Sequence, residues 1–224
     1  MRLATHLEHS GRPAVIRVIL VDDHAIIRRG LREALSHGGQ VTVVGEAEDY
    51  ATLRALLRDC PFDVLLLDVN LPGRNGIEVI QALIVDNPAL KTVVLSQYPE
   101  DQYGIRAMKA GAMAYLNKAV APEVIVQAVV TVASGRKYVT AEIANALLET
   151  VTGQKAGKAH ENLSEREMQT LLRIASGQKL ADIAQALFLS PKTVSVYRAR
   201  VLEKLGLQGN ADIATYALRH GLIQ

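Results

Sequence analysis

Three aspartates, a serine and a lysine stand in this chain where they can meet. Asp22 and Asp23 follow the apolar run 16–21, Asp68 follows 64–67, Ser96 follows 92–95, and Asn117 and Lys118 follow 114–116. Each run is short, aliphatic and often β-branched, so each reads as a strand with its polar residue at the carboxyl end. Carboxylates held close repel one another, so a cation belongs among them. Hard oxygen ligands with room left for water suit Mg²⁺. A carboxylate beside a divalent ion and an ammonium can act as a nucleophile toward phosphorus, and the cations would neutralise the transferred oxygens. One such aspartate alone would read as a helix cap. The full set at four strand ends favours the chemistry.

The elements that must position these groups follow from the alternation of patterns. A fifth run, 41–45, joins the four, and amphipathic stretches lie at 25–36, 51–59, 76–86, 101–110 and 122–133. Five strands alternating with five helices imply right-handed βαβ units and a parallel sheet. The unbroken apolar run 64–67 suits a strand covered on both faces. The crevice of such a sheet lies beyond its carboxyl ends, where the polar residues fall.

A single helix is expected at 140–150, then a polar linker at 153–160 that contains glycine. The remaining residues read as helices only. Ser164-Glu165-Arg166-Glu167 has the capping-box pattern, and Gly177 ends that helix. Ser190-Pro191 is an N-cap followed by proline at the first helical position. Residues 15–135 hold 11 Lys and Arg against 14 Asp and Glu, a net of −3, whereas residues 158–224 hold 9 against 6, a net of +3. An acidic front and a basic back point to two units with different partners. The divisions expected are an extension at 1–14, a first domain at 15–135, a helix and linker at 136–160, and a second domain at 161–224.

Apolar residues make up 49% of the chain and aromatics only 4%, with no Trp, so aliphatic side chains must fill both cores. No apolar run is long enough to span a bilayer, and residues 1–14 lack the apolar stretch of a leader. The lone Cys60 allows no internal disulfide, which suits a reducing cytoplasm.

Residues 21–24 (Val-Asp-Asp-His), 67–73 (Leu-Asp-Val-Asn-Leu-Pro-Gly), Ser96 and 115–118 (Tyr-Leu-Asn-Lys) together resemble a bacterial response-regulator receiver domain. The resemblance implies a flavodoxin-like (βα)₅ fold with Asp68 as phosphoacceptor. It implies that Asp23, Asp68 and the backbone carbonyl of Asn70 bind Mg²⁺, with Asp22 acting mainly through water. Lys118 would contact the phosphoryl group, and a sensor histidine kinase would donate it. Ser96 would shift toward the phosphoryl oxygens and Tyr115 would rotate inward with it. Read without the resemblance, Tyr115 is a half-buried strand aromatic with its hydroxyl in water. Asn70 and Tyr98, each two residues past a site residue, should border the path of an attacking water.

In the basic segment 190–205, Val194, Val201, Leu202 and Leu205 lie near one helical stripe. Lys192, Ser195, Val196, Ala199 and Arg200 lie mostly on the other side. A short preceding helix and a tight turn complete a helix-turn-helix, whose second helix enters the major groove of double-stranded DNA. Residues 163–167, 183–184, 189–194, 202–206 and 217–222 are similar to the LuxR-type (NarL/FixJ) DNA-binding domain, an all-α four-helix unit. The resemblance implies DNA contacts by Lys192, Thr193, Ser195, Val196, Ala199 and Arg200, and pairing of domains through a fourth helix at 211–219. Lys204 is expected to strengthen all sequences alike. Arg198 is left without a role.

The chain therefore reads as a cytoplasmic two-component transcriptional regulator: not an enzyme, not a membrane protein, a homodimer when it binds promoters. Two rivals stand beside this. A Mg²⁺-dependent phosphatase would use Asp68 as nucleophile but would need an acid where Asn70 stands, and a substrate cap. A regulator independent of phosphate would not need so complete an acidic cluster.

Overall fold

The structure, a computed structural model, describes residues 15–72, 75–151 and 159–223. The expected N-terminal extension, Gly73 of the turn after Asp68 and most of the expected linker lie outside the described residues. Strands β1 (Ile16–Val21), β2 (Val41–Ala47), β3 (Val64–Asp68), β4 (Thr92–Ser96) and β5 (Ala114–Asn117) alternate with helices α1 (Ala25–Ser36), α2 (Tyr50–Asp59), α3 (Gly76–Asp86), α4 (Glu100–Lys109) and α5 (Pro122–Ala133). The strands form one parallel sheet in the order β2-β1-β3-β4-β5. This is the doubly wound architecture that the alternation demanded.

Strand period explains which side chains go where. Val18, Leu20, Val64 and Leu66 pack with α1 and α5 on one face, and Ile19, Val21, Leu65 and Leu67 on the other. All five β3 residues are buried, so the strand has no polar position to spare except its last, Asp68. Strand β2 runs two residues past the expected end at Gly45. The register slips between Val18 and Ile19, leaving Val44 as the extra residue of a bulge, after which Gly45, Glu46 and Ala47 pair with β1. Glycine and glutamate are poor strand formers, but the bulge lets the ladder with β1 override that weak preference.

Helix α6 (Ala141–Val151) packs on α4, with Ile143 seated over Gly104. A 3₁₀ turn (Ala159–Asn162) leads into α7 (Glu165–Ala175), α8 (Leu180–Ala186), α9 (Pro191–Leu205) and α10 (Asn210–Arg219). Ser164 caps α7 in a full capping box with Glu167. Ser190 accepts from Thr193 N–H at the start of α9, and Gly206 ends that helix with a left-handed φ of 65°. Leu171, Ile183, Val194, Val201, Ile213 and Ala217 form the centre of these helices. Their apolar cluster is continuous with the one under the α2–α4 face of the sheet. No described helix is long and apolar enough to cross a membrane.

Gly76 opens α3 directly beneath the site. Its N–H donates to the Val69 carbonyl at 2.7 Å. A Cβ there would strike the Asp68 carbonyl oxygen and come within 2.8 Å of Val69 Cα, both of them backbone. Gly→Ala in an unhindered helix stabilises by about 0.5–1 kcal/mol. Gly76→Ala is expected to reverse that sign and cost about 1–3 kcal/mol by overpacking, measured by denaturant unfolding of the full chain.

Candidate functional site

The sheet register decides which polar residues meet. Val21 pairs with Leu67, so Asp22 and Asp68 emerge side by side. They do so where the strand order turns from β1 toward β2 on one side and β3 on the other. Asp68 pairs with Leu95 and Ser96 with Asn117, which brings Lys118 one step beyond the rim. The Lys118 N–H bonds the Ser96 carbonyl at 2.7 Å and fixes the turn that aims the side chain back.

The Lys118 ammonium lies between two carboxylates, with Nζ 2.6 Å from Asp22 Oδ2 and 2.7 Å from Asp68 Oδ2. Both aspartates are only 1% exposed. The remaining oxygens are also engaged: Asp68 Oδ1 accepts from Asn70 N–H at 3.0 Å and Asp22 Oδ1 from His24 N–H at 2.8 Å. Burial raises the Asp68 carboxyl from the usual 3.8 to about 6, against the pull of Lys118 and with help from Asp22. Burial alone would push the Lys118 amine down, but the two carboxylates outweigh it and hold its pKa above the usual value. The ammonium therefore stays charged.

Asp22, Asp23, His24 and Asp68 each offer a ligand atom, all within 4.8 Å of one another. Asp23 Oδ1 is buried and accepts no hydrogen bond. His24 Nδ1 stands 2.6 Å from it, an ion pair only when the ring is protonated. Three carboxylates against one ammonium leave a local excess of negative charge and an orphaned oxygen. That donor set fits a hard divalent cation.

Beside this cluster Ser96, fully buried, accepts from Tyr98 N–H at 3.0 Å. Tyr115 is not half-exposed: it is fully buried, its hydroxyl donates to the Tyr98 carbonyl at 3.1 Å, and it lies next to Ser96. Burial raises its phenol pKa well above normal, so the hydroxyl stays a donor. Tyr98 stacks on Tyr103 with ring centroids 4.6 Å apart. Tyr103 is a participant that no motif in the sequence announced. Glu100 continues the chain outward, accepting from Asn117 N–H at 2.9 Å and from the Thr140 hydroxyl just before α6.

The second candidate surface is α9. Val194 and Val201 are buried, and Lys192, Ser195, Val196, Ala199 and Arg200 are exposed. Thr193 is half-buried and tied to Ser190. Lys204 pairs with Glu167 at 2.7 Å, the buried member of the α7 capping box, and so links α9 to α7. Arg198 reaches Asn210 at the start of α10, which gives it a structural role. The turn before α9 holds Phe188, 55% exposed with φ of 55°. A bulky residue there is strained by about 1–2 kcal/mol, and the sequence offered no sign of it.

Residues 18–130 match the response regulator receiver domain, and residues 161–217 match the bacterial regulatory proteins of the luxR family. The response regulator GacA of Pseudomonas aeruginosa is 38% identical over 210 residues, 93% of this chain and 98% of that protein. The response regulator UvrY of Escherichia coli is 37% identical, over 93% and 96%. Among solved structures, RcsB of Salmonella enterica serovar Typhimurium, bound to promoter P1flhDC with the phosphomimetic BeF3−, is 27% identical. It covers 90% of this chain and 97% of its own at a TM-score of 0.63.

The raised Asp68 carboxyl has a stability consequence. Between pH 4 and 6 the folded chain holds a proton that the unfolded chain releases. Its contribution is therefore fully present below about pH 4 and lost as pH rises through about 6. Without divalent cation, Asp68→Asn is expected to be more stable than wild type at pH 7.5 by about 2–3 kcal/mol. The gap should close toward pH 4. Urea unfolding at the two pH values checks both.

Proposed function

Because the chain belongs to the response regulators that join a receiver domain to a luxR-family DNA-binding domain, we propose that Asp68 accepts a phosphoryl group from a sensor histidine kinase and thereby controls promoter binding by α9. The single observation that carries this reading is the Lys118 ammonium placed across Asp22 and Asp68. It marks where the oxygens of a transferred group would be neutralised. On this reading the receiver spans residues 15–135 and the DNA-binding unit 161–224.

Asp68 Oδ attacks phosphorus as the bond to the donor's imidazole nitrogen breaks, leaving an acyl phosphate. Asp22, Asp23, Asp68 and the Asn70 carbonyl would hold Mg²⁺, which when bound shields negative charge on the incoming oxygens. Lys118 exchanges its contact with Asp68 for one with a phosphoryl oxygen. The Ser96 hydroxyl, now bonded to the Tyr98 N–H, is placed to turn toward the same oxygens. Tyr115, Tyr98 and Glu100 would carry that movement to the α4–β5–α5 face and α6. A change there shifts the population toward dimers whose two heads read paired half-sites. The assembly acts in the cytoplasm, where kinase and DNA are both met.

On DNA, Lys192, Thr193, Ser195, Val196, Ala199 and Arg200 form the reading face. Ser195 and Ala199 are small, so phosphate contacts and DNA shape carry much of the affinity. Lys204 contributes to DNA through its remaining exposure, its charge being shared with Glu167.

Acetyl phosphate with Mg²⁺ is expected to add one phosphoryl group to the wild-type chain. Intact-mass measurement should find none on Asp68→Asn, or after chelation. Labelling that persists in Asp68→Asn would refute the assignment. For α9, Arg200→Ala is expected to flatten the slope of log affinity against log salt by about 0.9, as befits a single phosphate no longer neutralised. Fluorescence-anisotropy titrations of a promoter fragment check it.

A further inference from the structure

The bulge in β2 and an arginine of α1 act on the same backbone, that of Asp22. Before the bulge, Val41 and Val43 pair with Ile16 and Val18, on the face of the sheet that α1 and α5 cover. An unbroken register would go on to set Gly45 against Leu20 and Glu46 against Val21. Residues paired in parallel strands share a face, and Val21 lies on the opposite one. Glu46 would then point away from α1. The extra residue at Val44 slips the register by one, and a slip of one turns every later side chain over. Glu46 is set against Leu20 instead, beneath α1, and Ala47 against Val21.

Glu46 meets Arg28 there, and the guanidinium is used in two directions. Nε donates to Glu46 Oε2 at 3.2 Å, and Nη1 donates to the Asp22 carbonyl at 2.5 Å. Arg32, one turn on, takes the other Glu46 oxygen at 3.1 Å. The Asp22 N–H donates to the Ala47 carbonyl at 3.1 Å. Both backbone groups of Asp22 are therefore fixed by residues that follow the bulge, one directly and one through Arg28. The Asp22 carbonyl is turned toward α1 and its carboxylate toward Lys118. Asp23 follows across the peptide that Arg28 grips, and its Oδ1 is the buried oxygen without a hydrogen bond. The ion pair of Arg28 is with Glu46, outside the pocket.

We propose that Arg28 is a positioning residue for the metal site: anchored on Glu46 by the β2 bulge, it fixes the Asp22–Asp23 peptide so that both carboxylates are presented together to Mg²⁺. The inference rests on the reading of the acidic pocket as a Mg²⁺ site. A group that holds the ligands without touching the ion removes freedom they would otherwise lose on binding. Such outer partners are worth about 10–100-fold in metal affinity. The sign of the effect separates positioning from charge. Removing a cation near a cation site should by Coulomb's law tighten Mg²⁺, whereas releasing the peptide should weaken it.

The test is calorimetric titration of the full chain with MgCl₂, comparing wild type, Arg28→Met and the double variant Glu46→Ala/Arg32→Ala. Methionine keeps the apolar stem of Arg28 and removes its donors. The double variant removes one charge of each sign and leaves Arg28 unanchored, so it remains informative if Arg28→Met fails to fold by circular dichroism. Arg28→Met is expected to weaken Mg²⁺ at least about tenfold, and the double variant to weaken it by less. In labelling with acetyl phosphate, the half-saturating Mg²⁺ concentration should rise by the same factor, while the rate at saturating Mg²⁺ stays within about twofold. A purely structural role would lower the unfolding midpoint and leave the Mg²⁺ affinity of the folded chain unmoved. Equal or tighter Mg²⁺ binding by folded Arg28→Met would overturn the proposal. Wild-type affinity in the double variant would overturn the anchoring by Glu46. Absence of Mg²⁺ binding by wild type would instead remove the metal reading, and this inference with it.

Discussion

A buried ammonium shared by two buried carboxylates is the contact on which the first domain is organised. Lys118 reaches Asp22 and Asp68 because a parallel sheet with this strand order brings the carboxyl ends of β1, β3 and β5 to one rim. Burying three charges is expensive, and a lysine between two aspartates only partly offsets it. The raised carboxyl of Asp68 is the visible sign of that imbalance. The pocket is therefore poised to gain from any further cation, and then from a group whose oxygens Lys118 can hold. Its chemistry and its instability have the same origin.

On the proposed reading, the surrounding polar contacts would turn a local charge change into a movement. Ser96, Tyr98 and Tyr115 are joined by hydrogen bonds through one stretch of backbone after β4, and Tyr98 is stacked on Tyr103. Glu100 bridges that stretch to β5 and to the start of α6. Ser96, Tyr103 and Tyr115 are buried and Tyr98 and Glu100 partly so, so the Ser96 and Tyr115 hydroxyls cannot shift without leaving the Tyr98 backbone groups they bond unmet. Coupling of that kind is what the proposed two-position device would require.

The second domain is built around α7, which is covered along almost its whole length. Its capping-box glutamate also receives Lys204 from α9, so the helix that meets the receiver also steadies the helix proposed to read DNA. The same α7 delivers Gln169 to Asn70. One element therefore touches both functional surfaces, and the apolar cluster beneath it is continuous with that of the sheet.

Much of this was legible from local pattern. Strand runs ending in Asp22, Asp68, Ser96 and Asn117-Lys118, the Ser164-Glu167 capping box and Ser190-Pro191 are written in spacing of two, three or four residues. Backbone geometry translates such spacing directly. The β2 extension escaped because a bulge at Val44 let Gly45 and Glu46 pair against their own propensity. The engagement of Lys204 with Glu167, the bond from Arg198 to Asn210, the strained Phe188 and the Tyr98–Tyr103 stack could not be read in advance. Neither could the bond between Gln169 and Asn70, 99 residues apart. Each depends on which elements pack together and at what register. That choice is settled by the summed burial of many side chains, and no short window of sequence contains it.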